Sequence, residues 1–107
     1  MLFKFKSKAA GDLIMLEPNG RRVLEIIGKD SGPKGIILPQ EMAGAIASLE
    51  AAIAKEEADQ QALIAEAQAQ GETPPRFEAV SLRQRAVPFL EMLRRCESAG
   101  KEIVWGV

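Results

Sequence analysis

Apolar and polar residues alternate at the start of the chain. Leu2-Phe3-Lys4-Phe5-Lys6 places two phenylalanines on one side of an extended segment and two lysines on the other, which predicts a half-buried strand. Near the other end, Ile103-Val104-Trp105 is short, β-branched and aromatic, and it predicts a second strand. We expect these two terminal strands to pair with each other, because a lone strand leaves its backbone groups without partners.

The segment from residue 13 to residue 27 fits two structures. Asn19-Gly20 lies between apolar runs, a pattern that favours a hairpin turn. Wound as a helix, residues 21–27 instead place their four apolar side chains on one side, and Gly28 then falls where a helix cap belongs. We therefore predict a helix over 21–27, and residues 13–16 stay open between a strand and a helical turn. Residues 28–35 have the composition of a loop.

Residues 39–70 have the pattern of one long helix. Pro39 suits the first helical position and Glu41 favours the positive end of the helix dipole. An apolar stripe at helical spacing predicts contact with the core up to residue 53, after which charged residues interrupt it. We therefore expect 55–75 to form a projecting helical arm followed by a loop. Gly71 and two prolines should end the helix. The stripe consists of Met42, Ile46, Leu49 and Ile53.

A third helix is predicted from the capping box of Ser81 and Gln84 to Gly100. Its apolar periodicity continues through Pro88, so we expect one kinked helix with Pro88 on the outer face. Its apolar face comprises Leu82, Ala86, Phe89, Leu90, Leu93 and Cys96, with Met92 on the margin.

Together these elements predict an α+β, predominantly helical fold in a single domain over 1–107. Three main helices accompany short paired N- and C-terminal strands, and the long helix 39–70 partly projects. A chain of 107 residues with 47% hydrophobic and 27% charged residues is typical of one globular core.

Charge and cysteine content narrow the functional classes. The formal net charge is −1, and Lys and Arg number 2 against 7 Asp and Glu within residues 39–76. Because binding to a nucleic-acid backbone needs a clustered basic field, this balance argues against nucleic acid as a partner. No apolar run is long enough to cross a membrane, and no signal-peptide pattern opens the chain, so we expect a cytoplasmic protein. The lone Cys96 agrees with a reducing compartment.

Catalytic, metal and cofactor chemistry find little support in the sequence. The chain has no histidine, which removes the usual general base and the commonest zinc ligand. Cys96 falls on an apolar helix face, where a cysteine is typically buried and inert. The glycine-rich loop over 28–35 lacks the spacing of a P-loop, and the carboxylates over 56–66 run along one helix rather than converging on a metal. We predict no catalytic residue, no metal site and no cofactor.

Two groups of residues are candidates for binding. The first group could contact a protein partner at the point where the long helix leaves the core. Trp105 is added to this group because a tryptophan can be a binding hot spot, and the other interpretation is that it anchors the terminal strand in the core. The second group could bind an anion. For the arginines, however, we prefer the interpretation that they form ion pairs with the acidic middle helix. The interaction candidates are Glu56, Glu57, Gln60, Leu63, Ile64 and Trp105, and the anion candidates are Lys29, Lys34, Arg83 and Arg94.

Several segments resemble a family of short bacterial proteins catalogued as a domain of unknown function. The resemblance covers essentially the whole chain and implies a small bacterial cytoplasmic protein without an assigned activity. It is carried by residues 2–9, Ile14-Met15-Leu16, Gly35-Ile36-Ile37, the run Ser81-Leu82-Arg83-Gln84-Arg85-Ala86-Val87-Pro88 and Val104-Trp105-Gly106.

We therefore expect a non-enzymatic protein-interaction module that associates with itself or with another protein. The long helix offers a smooth second face that could accept another helix closely. A small-ligand or anion-binding regulatory protein is the alternative. The smooth face consists of Gly44, Ala47, Ala51, Ala54 and Ala58.

Overall fold

The computed structural model describes residues 2–77 and 81–106. The fold is α+β and predominantly helical, as predicted. In chain order its elements are β1 (Leu2–Ser7), β2 (Ala10–Leu16), α1 (Glu17–Ile26), β3 (Gly35–Ile37), α2 (Pro39–Ala69), α3 (Leu82–Ala99) and β4 (Ile103–Trp105).

The strands form one antiparallel sheet in the order β2-β1-β4-β3. The predicted pairing of the terminal strands is confirmed, because Phe5 lies opposite Trp105 and Lys6 opposite Val104. Residues 13–16, which the sequence left open, belong to strand β2.

Strand β3 was not predicted, and the assignment of Gly35 to the loop was wrong. Gly35 begins β3 and lies opposite Trp105 in the ladder with β4. A Cβ atom at Gly35 would collide with Cζ2 of Trp105, so a glycine is needed for the strand to pass the indole ring. The Trp105 Nε1–H also donates to the carbonyl of Gly32 at 3.1 Å. The glycine-rich segment is therefore shaped around Trp105.

The choice of a helix over a hairpin for residues 21–27 is confirmed, but α1 starts earlier, at Glu17. Pro18 occupies the first turn, where its missing N–H costs nothing. Gly20 is buried inside α1 because the Phe3 ring packs against it, and a Cβ atom there would lie 2.6 Å from Cδ2 of Phe3. Asn19-Gly20 thus serves helix–strand packing instead of a turn.

All three helices end in the same way. After α1, the N–H of Lys29 donates to the carbonyl of Leu24, and that of Gly28 donates to Glu25. This is the Schellman pattern, which requires a left-handed residue, and Gly28 has φ +79°. The same pair of hydrogen bonds occurs at Gly71 and Gly100, so each predicted glycine stop is confirmed.

The core lies on one face of the sheet. Side chains of β1, β2, β3 and β4 that point to this face form one buried cluster with residues of the three helices. The ring of Phe5 is at the centre of this cluster. Its centroid lies 4.8 Å from that of Phe89, in an edge-to-face contact, and 5.8 Å from that of Trp105. No polar or charged residue is buried among those that the structure describes. The predicted apolar face of α3 is buried in full, and Met92 is buried with it.

Helix α3 runs unbroken through Pro88, as predicted, and Pro88 is exposed. The capping box at its start is also confirmed, since the N–H of Gln84 donates to Oγ of Ser81 at 3.2 Å and the N–H of Ser81 donates to Oε1 of Gln84 at 3.0 Å.

Helix α2 leaves the core after Ile53, the last of its residues in the buried cluster. At about 1.5 Å per residue, its 31 residues span roughly 46 Å, and the longest dimension of the molecule is 52 Å. The radius of gyration is 16.0 Å, against about 13 Å for a compact chain of this length. We call residues 55–69 of α2 the arm.

Replacing Gly20 by alanine should destabilise the protein although alanine is the better helix former. The added methyl group collides with the Phe3 ring, and overpacking of this kind costs about 1–3 kcal/mol against roughly 1 kcal/mol gained in helix propensity. Thermal unfolding followed by circular dichroism should show a Tm lowered by about 5 °C.

Gly44→Ala is the matched control, because Gly44 also lies inside a helix but nothing lies within 4 Å of a Cβ atom there. It should raise stability by about 0.5–1 kcal/mol. Stabilisation by both substitutions would contradict the packing of Phe3 on Gly20.

Candidate functional site

Glu56 holds three helices together at the point where the arm begins. One carboxylate oxygen accepts from the backbone N–H of Leu82, the first residue of α3, at 3.0 Å. The other accepts from the Arg22 guanidinium of α1 at 3.4 Å. A carboxylate at a helix N-terminus satisfies a free N–H group and favours the positive end of the dipole. Glu56 is therefore engaged inside the molecule.

Glu57 is also engaged, in a two-pronged ion pair with Arg83. The distances are 2.9 Å from Nε and 2.7 Å from Nη2 of Arg83 to the two carboxylate oxygens. This hydrogen bonding lowers the pKa of the Glu57 carboxyl and raises the pKa of Arg83. Arg94 pairs with Glu50 of α2 through a single contact, from Nη2 to one carboxylate oxygen. The expected pairing of arginines with the acidic helix is thus confirmed for Arg83 and Arg94.

The remaining arm candidates differ in exposure. Leu63 is exposed, whereas Gln60 and Ile64 are half-buried. Leu63 and Gln60 line a groove of about 360 Å³ between the arm, α1 and the start of α3. Its walls combine the apolar side chains of Ile26 and Leu82 with charged neighbours.

Trp105 lies in the core, with 2% of its surface exposed. Its ring contacts Phe5 and its Nε1–H is satisfied by Gly32. This placement is the core anchor that the sequence offered as the alternative to a hot spot, and it leaves almost no indole surface for a partner.

Of the four candidate anion ligands, Arg83 and Arg94 line one groove together with Glu50, whereas Lys29 is engaged elsewhere. Lys29 donates to both carboxylate oxygens of Glu41 at 2.7 Å, near the start of α2. Lys34 lies just before β3, and Arg83 and Arg94 are held by α2 as described above. Because three of these cations already have a carboxylate partner, the arrangement does not favour an anion site.

The side chains available for covalent or metal chemistry are sparse. Cys96 is fully buried in the core. Within residues 2–77 and 81–106, no three cysteine or carboxylate side chains lie so that they could hold a metal ion. In the same ranges, no helix combines the length and apolar character needed to cross a bilayer.

The most distinctive surface is the side of the sheet that faces away from the helices, which we call the open face. Leu2 and Leu16 lie directly opposite each other on β1 and β2, with exposures of 61% and 62%. Ile14 on the same side is 55% exposed. At the diagonal corner, Ile36 is 43% exposed and lies opposite Val104. Apolar side chains in this number on one sheet face are typical of a surface that is covered by a partner.

Lysines separate the two apolar corners of the open face. Both lysines belong to β1, where Lys4 lies opposite Ile14 of β2 and Lys6 lies opposite Val104 of β4. Lys4 forms an exposed ion pair with Asp12 at 3.6 Å. The open face is therefore apolar at two corners and carries charged side chains of both signs between them.

Sequence reasoning missed this surface. The alternation of Leu2, Lys4 and Lys6 with the two buried phenylalanines was the available signal, because it shows that a leucine shares the polar side of the strand. The exposure of Ile14, Leu16 and Ile36 could not be derived, since their strands were left open or unpredicted.

Comparison with protein families gives a match over nearly the whole chain. The family model of DUF1840, a domain of unknown function, matches residues 1–105. No curated protein and no solved structure matches the chain.

Removing the Glu56 carboxylate should weaken the attachment of α3. Glu56→Ala leaves the Leu82 N–H without its acceptor and should lower the free energy of unfolding by about 1–2 kcal/mol. Denaturant unfolding measures this loss. Glu57→Ala is the matched control, since Glu57 has only the exposed pair with Arg83, and its effect should be clearly smaller. Equal losses from the two variants would contradict the role of Glu56.

The Lys29–Glu41 pair should make stability depend on pH. The hydrogen bond from Lys29, followed by that from the Leu38 N–H at 2.8 Å, lowers the pKa of Glu41 below its ordinary value of 4.5. A lowered acid pKa stabilises the folded state above the ordinary value, and this stabilisation is lost as the pH falls through the lowered value.

Glu41→Gln should therefore have a lower Tm than the wild type at neutral pH, and the difference should shrink below the ordinary pKa of 4.5. Thermal unfolding across the acid range tests this. Glu25→Gln removes the same charge from an exposed residue of α1. The difference between its Tm and that of the wild type should not shrink in this way. A Glu41→Gln difference that persists in acid would overturn the assignment.

Proposed function

We propose that this chain, which belongs to the DUF1840 family, is a non-enzymatic protein-interaction module of the cytoplasm that also associates with itself. The single observation that carries the proposal is the open face, where Leu2, Ile14 and Leu16 are each more than half exposed on one sheet surface. Burial of such side chains drives most protein association.

The chemistry of the remaining surface supports binding over catalysis. The chain has no histidine and its one thiol is buried. The carboxylates of Glu56 and Glu57 and the guanidinium of Arg83 are occupied by contacts within the molecule. The apolar corners of the open face would gain free energy from burial by a partner.

The position of the open face also suits a binding role. The helices cover only the other side of the sheet, so the open face can accept a partner without displacing any core residue. A partner that binds here would meet apolar side chains with charged side chains of both signs between them, and this pattern favours an apolar surface with polar groups around it.

The proposal is tested with Leu16→Glu, which places a charge in the larger apolar corner. Wild type and variant are used as bait in native cell extract supplemented with a differently tagged copy of the chain. Bound proteins are then identified and quantified by mass spectrometry. Loss of about 1.4 kcal/mol corresponds to a tenfold loss of affinity, so we expect at least about tenfold less bound partner with Leu16→Glu.

Val87→Glu is the matched control, because Val87 is an exposed apolar residue on α3, outside the open face. It should retain the partner at the wild-type level, and circular dichroism should show both variants folded. Identical retention by wild type and Leu16→Glu would reject the open face as the binding surface.

A further inference from the structure

Of the two edge strands of the sheet, β2 is the longer. It has seven residues, Ala10–Leu16, whereas β3 at the opposite edge has three. In an antiparallel ladder, the backbone groups of every second residue point away from the neighbouring strand. Within residues 2–77 and 81–106, residues 10–15 form the ladder with β1, and no other backbone hydrogen bond reaches them. The outer edge of β2 therefore presents unpaired N–H and C=O groups.

This edge lacks the usual protection against another strand. Proteins commonly protect a sheet edge with lysines, prolines or a very short strand, but β2 reads AGDLIML. Its one charged residue, Asp12, pairs with Lys4 of β1. Gly11 is exposed, and nothing lies within 4 Å of a Cβ atom there. The group that complements such an edge is the backbone of a further strand.

A groove of about 180 Å³ lies between this edge and α3. Residues 10–13 form one wall, and the other is formed by Pro88, Glu91, Met92 and Arg95. Glu91 and Arg95 are exposed and lie one helical turn apart, and neither forms an ion pair with any residue that the structure describes. The groove therefore offers a carboxylate and a guanidinium that are both available to a partner.

An acidic and a basic side chain one turn apart on a helix complement each other when a two-fold axis relates two copies of that helix. We propose, resting on the self-association included in the function proposed above, that the β2 edges of two copies of this chain pair with each other antiparallel. The two four-stranded sheets then form one continuous sheet. Both α3 helices lie on the same side of it and run antiparallel, so that Glu91 of each copy meets Arg95 of the other.

Within one copy, α3 runs antiparallel to β2. The ring of Phe89 contacts that of Phe5, which lies opposite Leu13. Beyond the end of α3, Glu102 lines a pocket with Ser7, the last residue of β1. From the level of Leu13, α3 therefore runs toward the hairpin turn that precedes β2.

These positions place the two-fold axis near Gly11. The midpoint between Glu91 and Arg95 lies four residues beyond Phe89, which is about 6 Å along the helix. Two strand residues, from Leu13 back to Gly11, span about 6.6 Å. The helix contact and the strand pairing therefore share one axis, and the glycine leaves no side chain between the two copies at that axis.

The apolar corners of the open face stay uncovered in this arrangement. Leu2 and Leu16 lie opposite each other at the far end of the β1–β2 pair, away from the hairpin turn. The dimer thus carries two copies of the surface that the proposed function assigns to a protein partner.

Gly11→Lys tests the strand pairing. The single chain accommodates this side chain, because nothing lies within 4 Å of a Cβ atom at Gly11, whereas in the dimer two lysines would lie directly opposite each other. Light scattering coupled to size exclusion measures the mass of each purified full-length chain over a wide concentration range. The wild type should dimerise, and Gly11→Lys should dissociate at least about tenfold more readily. Gly44→Lys, the same change at an equally open glycine of α2, should leave dimerisation unchanged.

Charge exchange on α3 tests the helix contact. In Glu91→Arg two guanidinium groups meet at each contact, and in Arg95→Glu two carboxylates meet, so each variant alone should dissociate at least about tenfold more readily than the wild type. A heterodimer of the two variants has opposite charges at both contacts, and we expect the equimolar mixture to regain the dimer mass. Glu97→Arg, the same change at another exposed residue of α3, should dimerise like the wild type.

Three results would overturn the inference: a wild type that stays monomeric, a dimer that tolerates Gly11→Lys, or a mixture of the charge variants that fails to regain the dimer. A monomeric wild type would leave the edge of β2 to an extended segment of another protein. A dimer that dissociates only with Gly44→Lys would assign self-association to the small-residue face of α2. Binding of other proteins to the open face fails separately, since it fails only if Leu16→Glu leaves all partners of the native extract bound.

Discussion

Phe5 and Trp105 face each other across the pair of terminal strands, and most of the fold depends on this contact. Phe5 is fully buried and touches Phe89 of α3 and Trp105 of β4. β3 pairs with the other edge of β4. The position of Trp105 therefore also determines where Gly35 of β3 passes the indole ring. One aromatic cluster thus joins the two chain ends, the sheet and the last helix.

The sidedness of the sheet follows from the same cluster. With the aromatic rings and all three helices on one side, the alternation of each strand leaves its other side chains facing solvent. On β1 this gives one leucine and two lysines, but on β2 it gives Ile14 and Leu16, which cost free energy when left in water. The proposed function follows from this unequal use of the two faces.

The arm depends on a polar contact. Beyond Ile53, α2 adds no residue to the buried cluster, and Glu56 then connects it to Arg22 and to the first N–H of α3. Glu57 adds its pair with Arg83 one residue later. Glu56 and Glu57, which the sequence offered as candidates for contact with a partner, are therefore engaged within the molecule. Leu63 remains exposed.

Patterns within one segment were enough to predict the three helices, their glycine stops, the buried face of α3 and the two terminal strands, because periodicity and capping are local properties. They did not reveal β3 or settle residues 13–16, since a three-residue strand and an ambiguous apolar run become strands only through the neighbours they pair with. The role of Gly20 was likewise decided by Phe3, a residue distant in the sequence. The sequence alone determined the helices, the pairing of the chain ends and the lack of histidine chemistry. Only the tertiary structure decided which apolar residues stay exposed, because exposure depends on which face of the sheet the helices cover.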